Sequence, residues 1–97
     1  MDRATFSWDE AKDKENLRKH KVSFEEAMTA FFDENARLMP DPDHSDPEEE
    51  RFVLIGFSST LHLLVVCHTY RQDEREIRLI SARRATRSEW KQYGSFL

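Results

Sequence analysis

Ninety-seven residues fit one domain and leave no room for a second. Seven Phe, two Trp and two Tyr supply core material that a disordered chain lacks, although 35% of the residues are charged. Only two glycines are present, one cysteine, and no apolar run longer than Leu63 to Cys67, which argues against a glycine-rich phosphate loop, a disulfide framework, a multi-cysteine zinc site and a membrane span.

In chain order, Ser7-Trp8-Asp9-Glu10 reads as a capping box. The hydroxyl accepts from the N–H three residues on, and the Glu reaches back to the cap residue. It predicts a helix near 8–20, with only Trp8, Ala11 and Leu17 apolar, lying on the surface. Ser23-Phe24-Glu25-Glu26 is a second such box, opening a helix near 24–33. Its Phe24, Ala27, Met28 and Phe31 fall at i, i+3, i+4 and i+7, one buried stripe. Ala36–Met39 is a short strand candidate ended by Pro40. The stretch from Asp41 to Glu50, with prolines in and beside it, is expected to form no regular element. Arg51–Ser58, Leu61–Tyr70 and Glu76–Ala82 are rich in Val, Ile, Leu and Phe, as strands are, with hairpin turns at Ser59-Thr60 and Gln72–Glu74. Thr86-Arg87-Ser88-Glu89 opens a third helix near 87–94. The fold class expected is α+β, with two N-terminal helices, a twisted antiparallel sheet of three to four strands and a C-terminal helix. Leu61–Tyr70 is apolar on both faces at its centre, so both faces need cover. Its polar ends leave room for a cleft.

The net charge of −4 speaks at first against a nucleic-acid partner. Its distribution says otherwise. Asp41 to Glu50 carries six acids and no Lys or Arg; taking those six from the total leaves the rest of the chain at +2. Lys12, Lys14, Arg18, Lys19 and Lys21 crowd one flank, and Arg83, Arg84, Arg87 and Lys91 the other.

Cys67 and His68 are neighbours in a strand, so they point to opposite faces and cannot form a nucleophilic pair. Asp41, Asp43, His44 and Asp46 lack EF-hand spacing and a turn glycine; a solvated acidic loop is the simpler reading, able to repel wrong polyanions or receive a basic partner. His62 and His68 lie about 20 Å apart on one strand face and share no site. No metal and no cofactor are expected. The remaining option is metal-free chemistry on a phosphate, in which RNA supplies its own 2′-hydroxyl as nucleophile and the protein supplies a base, an acid and cations. His20, His68, Lys12, Lys19, Arg71, Arg78, Arg83, Arg84 and Tyr93 are of the right types. On composition alone, solvated charge explains them better.

The motifs change that balance. Trp8-Asp9-x-x-Lys12, Asn16-x-x-Lys19-His20-x-Val22-Ser23-Phe24-x-x-Ala27, Asp41-Pro42-Asp43-His44-Ser45, Arg51-x-x-x-Ile55-Gly56, Val66-x-His68-Thr69-x-Arg71 and Ile80-Ser81-Ala82-Arg83-x-Ala85-Thr86-x-x-Glu89-x-x-x-Tyr93 together resemble the BrnT toxin family, from about Phe6 to Tyr93. Cys67, where an aliphatic residue is expected, and Tyr70 depart from the pattern without touching a motif residue. The resemblance implies a ribonuclease toxin of a type II toxin–antitoxin system, similar in fold to RelE-type endoribonucleases and acting in the cytoplasm. No leader for secretion is expected. It implies an RNA substrate and a BrnA-like antitoxin, a dimeric DNA-binding protein of ribbon-helix-helix type, through which operator DNA would be reached. Carried onto this chain, it makes Arg83 the stabiliser of the phosphorane and His68 a general acid or base, with Lys19 and Tyr93 as further catalytic candidates. Lys12, His20, Arg71, Arg78 and Arg84 would bind RNA. Antiparallel pairing through the 71–75 turn opposes His68 to a residue near Arg78 and sets Arg83 by Leu61–Leu63, so a second arrangement groups Arg71 and Arg78 with His68. Lys19 and His20 also suit a helix C-terminus, Glu89 completes the third capping box, and Tyr93 can simply pack. A non-catalytic binding module acting as corepressor is the alternative function; a small metalloenzyme built on the acidic loop is a third.

Overall fold

A strand that is apolar on both faces must be covered on both. In the computed structural model, which describes residues 4–95, the central strand is β4 (Leu63–Arg71). It lies between β3 (Arg51–Phe57) and β5 (Glu76–Arg84). β2 (Arg37–Pro40) flanks β3, and β1 (Thr5–Ser7) flanks β5, giving the order β1-β5-β4-β3-β2. β2 to β5 form an antiparallel meander, while β1 runs parallel to β5. The sheet is therefore five-stranded and mixed, where three to four antiparallel strands were expected. β1 escapes the sequence pattern because it is three residues long and Phe6 is its one apolar side chain.

Helices α1 (Glu10–His20) and α2 (Phe24–Thr29) cover one face of the sheet; α2 runs on as a 3₁₀ turn over Ala30–Phe32. Val22, Phe24, Ala27, Leu64, Val66, Leu79 and Ala82 make the core between them. Phe24 is fully buried, which contributes about 2–3 kcal/mol. Helix α3 (Arg87–Gly94) covers part of the other face, where Tyr93 packs on Ile55, Leu63 and Val65. No helix of the described residues is long and apolar enough to cross a membrane.

The caps differ in detail from the expectation. Asp9, not Ser7, caps α1, accepting from the N–H groups of Ala11 and Lys12. Ser7 belongs to β1, and its hydroxyl donates to Glu76. Ser23 caps α2, but Glu26 does not return to it. Its carboxylate instead accepts from Ser58 and Thr60 at 2.7 Å and from His62 at 2.8 Å, tying α2 to the β3–β4 hairpin. The Thr86–Glu89 box at α3 is complete. The Asp41–Glu50 segment also holds more structure than expected. It forms a 3₁₀ turn over Pro42–His44 and an isolated bridge between Asp46 and Glu49.

Two close approaches lock the first face. Gly56 passes under the end of α2, where a Cβ would lie 2.8 Å from the Ala30 carbonyl. On β5, Ser7 pairs with Arg78 and β1 ends there. Farther along, the buried Asn16 takes the place of a neighbouring strand. Its Nδ2 donates to the carbonyls of Val22 and Ala82, each at 2.8 Å, and its Oδ1 accepts from the Ala82 N–H at 3.0 Å. Asn16→Ala should cost about 2–4 kcal/mol, because it leaves three buried backbone groups without partners. Urea unfolding of the two proteins measures this; a loss under about 0.5 kcal/mol would mean that water replaces the carboxamide.

Candidate active site

The strand register decides which side chains share a surface, since directly paired residues project to the same side. Arg51, Thr69 and Arg78 form one such row across β3, β4 and β5. Val53, Cys67 and Ser81 form the next, and Ile55, Val65 and Arg83 the third. Arg71 lies one step beyond Thr69, opposite Glu76. Arg78 and Arg83 are five residues apart, an odd spacing that strict alternation would send to opposite faces. A bulge prevents it. Cys67 pairs with Ser81 but His68 pairs with Leu79, so Ile80 is an extra residue in β5 and the two arginines emerge together.

Helix α3 covers this face only at its Leu63 and Val65 end. The rest is an open cleft. Arg51, Cys67, Ser81 and Arg83 line one part of it, together with Asp41 and His44. Arg51, Arg71 and Arg78 line the adjoining part with Lys12 and Asp9 from the start of α1. Lys19 and His20 stand in a neighbouring recess that shares Lys12, Ile80 and Ser81.

Carboxylates hold three of these cations in place. Glu89 accepts two parallel bonds from Arg83, at 2.7 and 2.8 Å. Those bonds, with one from the Thr86 N–H, draw the Glu89 carboxyl down to about 2 against the upward pull of burial. Glu49 accepts from Arg51 at 3.3 Å and lies 3.5 Å from Arg71. The Arg78 side chain has neither a hydrogen bond nor an ion pair among the described residues.

Three candidates from the sequence stand elsewhere. His68 is completely buried on the α1–α2 face, among the rings of Phe31, Phe52 and Tyr70. Its Nδ1 donates to the Val66 carbonyl at 3.0 Å, its Nε2 lies 3.2 Å from the Tyr70 hydroxyl, and burial pushes its pKa down. It is a neutral core histidine, on the opposite face from Arg71, Arg78 and Arg83, and neither sequence-based grouping with it forms. Tyr93 is buried on the inner side of α3 and donates to Asp33 at 2.7 Å; burial, then this bond, push its hydroxyl up to about 12. Such a phenol is a poor base. Arg84 pairs with Leu64 on the core-facing side and donates to His62 at 3.3 Å, away from the cleft. Conversely, Arg51, Glu49, Asp41 and His44 line the cleft without having been singled out for it. The family-like motifs contain Arg51 and His44, but only the register puts them beside Arg83.

The Arg83–Glu89 pair has a pH signature. Glu89 is lowered from 4.5 to about 2, so the stability it contributes is present above pH 4.5 and is lost as pH falls towards 2. Arg83 is 42% exposed, and solvent weakens the pair. Glu89→Gln should therefore lower stability by about 1 kcal/mol at pH 7, a gap that closes between pH 4.5 and pH 2. Thermal unfolding across that range tests it; a gap that stays constant with pH would place the effect in the α3 cap alone.

Among solved structures, the fold is similar to the crystal structure of the Brucella abortus ribonuclease toxin BrnT, with a TM-score of 0.63. The two share 21% identity over 90% of this chain and 100% of that one. No curated protein matches the chain. Residues 8–89 match the sequence model of a family described as the ribonuclease toxin BrnT of type II toxin-antitoxin systems. That span runs from the start of α1, through both parts of the arginine cleft, to the Glu89 that holds Arg83, and the chain accordingly belongs to the BrnT family of ribonuclease toxins.

Proposed function

We propose that the arginine cleft cuts RNA without a metal ion, using the 2′-hydroxyl of the substrate as nucleophile. One observation carries this reading: Arg51, Arg71, Arg78 and Arg83 share one sheet face, which α3 covers only in part. A planar guanidinium binds two phosphate oxygens at once and stays charged through the reaction. Several arranged around one phosphodiester stabilise the extra negative charge of the phosphorane. Arg83 serves there, with Arg78 and Arg71 gripping the adjoining phosphate. Lys12, Lys19 and His20 extend the path along α1. His68, Tyr93 and Arg84 are assigned to packing and to the hairpin. Two helices followed by the antiparallel meander β2 to β5 support kinship with RelE-type endoribonucleases.

The toxin then acts in the cytoplasm and is silenced by a BrnA-like antitoxin of ribbon-helix-helix type. The antitoxin desolvates the arginine face, and the complex represses its own operon, with operator DNA bound through the antitoxin. A second reading, a binding module acting only as corepressor, draws on a different observation. Arg83, Arg51 and Arg71 are all paired with carboxylates of the chain itself. RNA must displace or share those partners.

Arg83→Ala should reduce cleavage by about 100-fold or more, the effect of losing one donor to a developing oxyanion. Expression of the folded variant should restore growth; growth arrest as strong as that of wild type would remove Arg83 from the mechanism. Cleavage by the purified, antitoxin-free protein should persist in excess chelator. Activity lost to the chelator and restored by Mg²⁺ would replace this mechanism with a metal-dependent one, and RNA left intact at high protein concentration would favour the corepressor. In the antitoxin complex, Arg83 should be shielded from solvent; a complex that leaves it open would count against inhibition by occlusion.

A further inference from the structure

Attack by a 2′-hydroxyl needs a proton acceptor, which a permanently charged guanidinium cannot be. Asp41 and His44 line the same cavity of about 180 Å³ as Arg51, Ser81 and Arg83. The segment that presents them is anchored to the start of β3. The Asp41 N–H donates to the Arg51 carbonyl at 2.8 Å. The Ser45 hydroxyl donates to the Asp41 carbonyl at 2.8 Å, and the Arg51 N–H donates to that hydroxyl at 2.8 Å. On this frame the Asp41 carboxylate, 16% exposed, accepts from Nδ1 of His44 at 2.9 Å, while the imidazole is 67% exposed. A carboxylate accepts only, so Nδ1 is the donor of this bond, and in the neutral ring that tautomer makes Nε2 the acceptor. The chain has four histidines. His68 is in the core, His62 is held by Glu26 on the other side of the sheet, and His20 stands in the neighbouring recess.

We propose that His44 is the general base of the arginine cleft and that Asp41 is its positioning residue. The assignment rests on the ribonuclease reading. Nε2 of His44 takes the proton of the 2′-hydroxyl as the 2′-oxygen attacks phosphorus. The bond from phosphorus to the 5′-oxygen breaks, that oxygen leaves with the bonding pair, and it takes a proton from water. The products are a 2′,3′-cyclic phosphate and a 5′-hydroxyl, and His44 returns its proton to solvent. Arg83 stabilises the phosphorane between these two events.

His44→Asn tests this, because the Asn amide can keep the bond to Asp41 but cannot carry a proton. Single-turnover cleavage of an RNA oligonucleotide should fall by about 100-fold or more. Affinity for the fully 2′-O-methylated oligonucleotide, which cannot be cut, should stay within about threefold of wild type, because binding rests on the arginines. His44→Gln serves if the Asn variant does not fold. A folded variant that cleaves as fast as wild type overturns the assignment and leaves the ribonuclease reading standing. A fall in rate matched by an equal fall in affinity also overturns it, since His44 would then only shape the binding surface. Wild-type protein that leaves the RNA intact overturns both readings together.

Discussion

The site depends on one extra residue in β5. Side chains alternate along a strand, so residues an odd number apart face opposite ways unless the backbone is interrupted. Ile80 is that interruption: Leu79 and Ala82 both reach the α1–α2 core, and Arg78 and Arg83 both reach the cleft. Without the bulge, one arginine would be forced into an apolar interior, where an unpaired charge costs several kcal/mol. Asn16 supports the same stretch by satisfying the backbone of Ala82, beyond the point where β1 ends. The edge of β5 is thereby closed by a side chain, and α1 is held at a fixed height beside the cleft that Lys12 borders.

Helix length does the rest. An eight-residue helix is about 12 Å long, and a nine-residue strand is about 30 Å. Helix α3 therefore cannot cover the whole second face of β4 and β5. Apolar residues lie where it reaches, Arg83 stands at its margin bonded to Glu89, and Thr69, Ser81, Arg51, Arg71 and Arg78 lie beyond it. The acidic segment fills part of the gap from the other side. Glu49 pairs with Arg51 and Arg71, and Asp41 orients His44. The acids that make the net charge negative are thus partly the counter-charges that hold the cleft's own cations apart and in place. Net charge says little about a local field when opposite charges are arranged this closely.

Much of the architecture is legible in local chemistry. The Thr86–Glu89 box and the Ser23 cap are satisfied within a few residues, so their signal survives folding. The three long strands are dense in β-branched and large apolar residues, and their antiparallel order follows from short turns. The misleading signals are those with a distant competitor. Ser7 resembles a cap, yet Glu76, far along the chain, takes its hydroxyl. Glu26 resembles the return arm of a box, yet three donors of the β3–β4 hairpin take its carboxylate. β1 pairs with a strand about seventy residues away, and a three-residue segment carries too little pattern to show it.

By itself the sequence determined the α+β class, the helices, the long strands, the concentration of acids in one segment and, through motifs spread along the chain, the resemblance to a toxin family. Tertiary structure alone decided which of the polar residues meet. His68 and Tyr93, which have suitable chemistry, are in the core, whereas Arg51 and His44, in segments read as strand and solvated loop, stand beside Arg83. The reason is physical: caps and periodicity are contests settled within a few residues, whereas the face on which a side chain emerges depends on strand register, and one bulged residue reverses it.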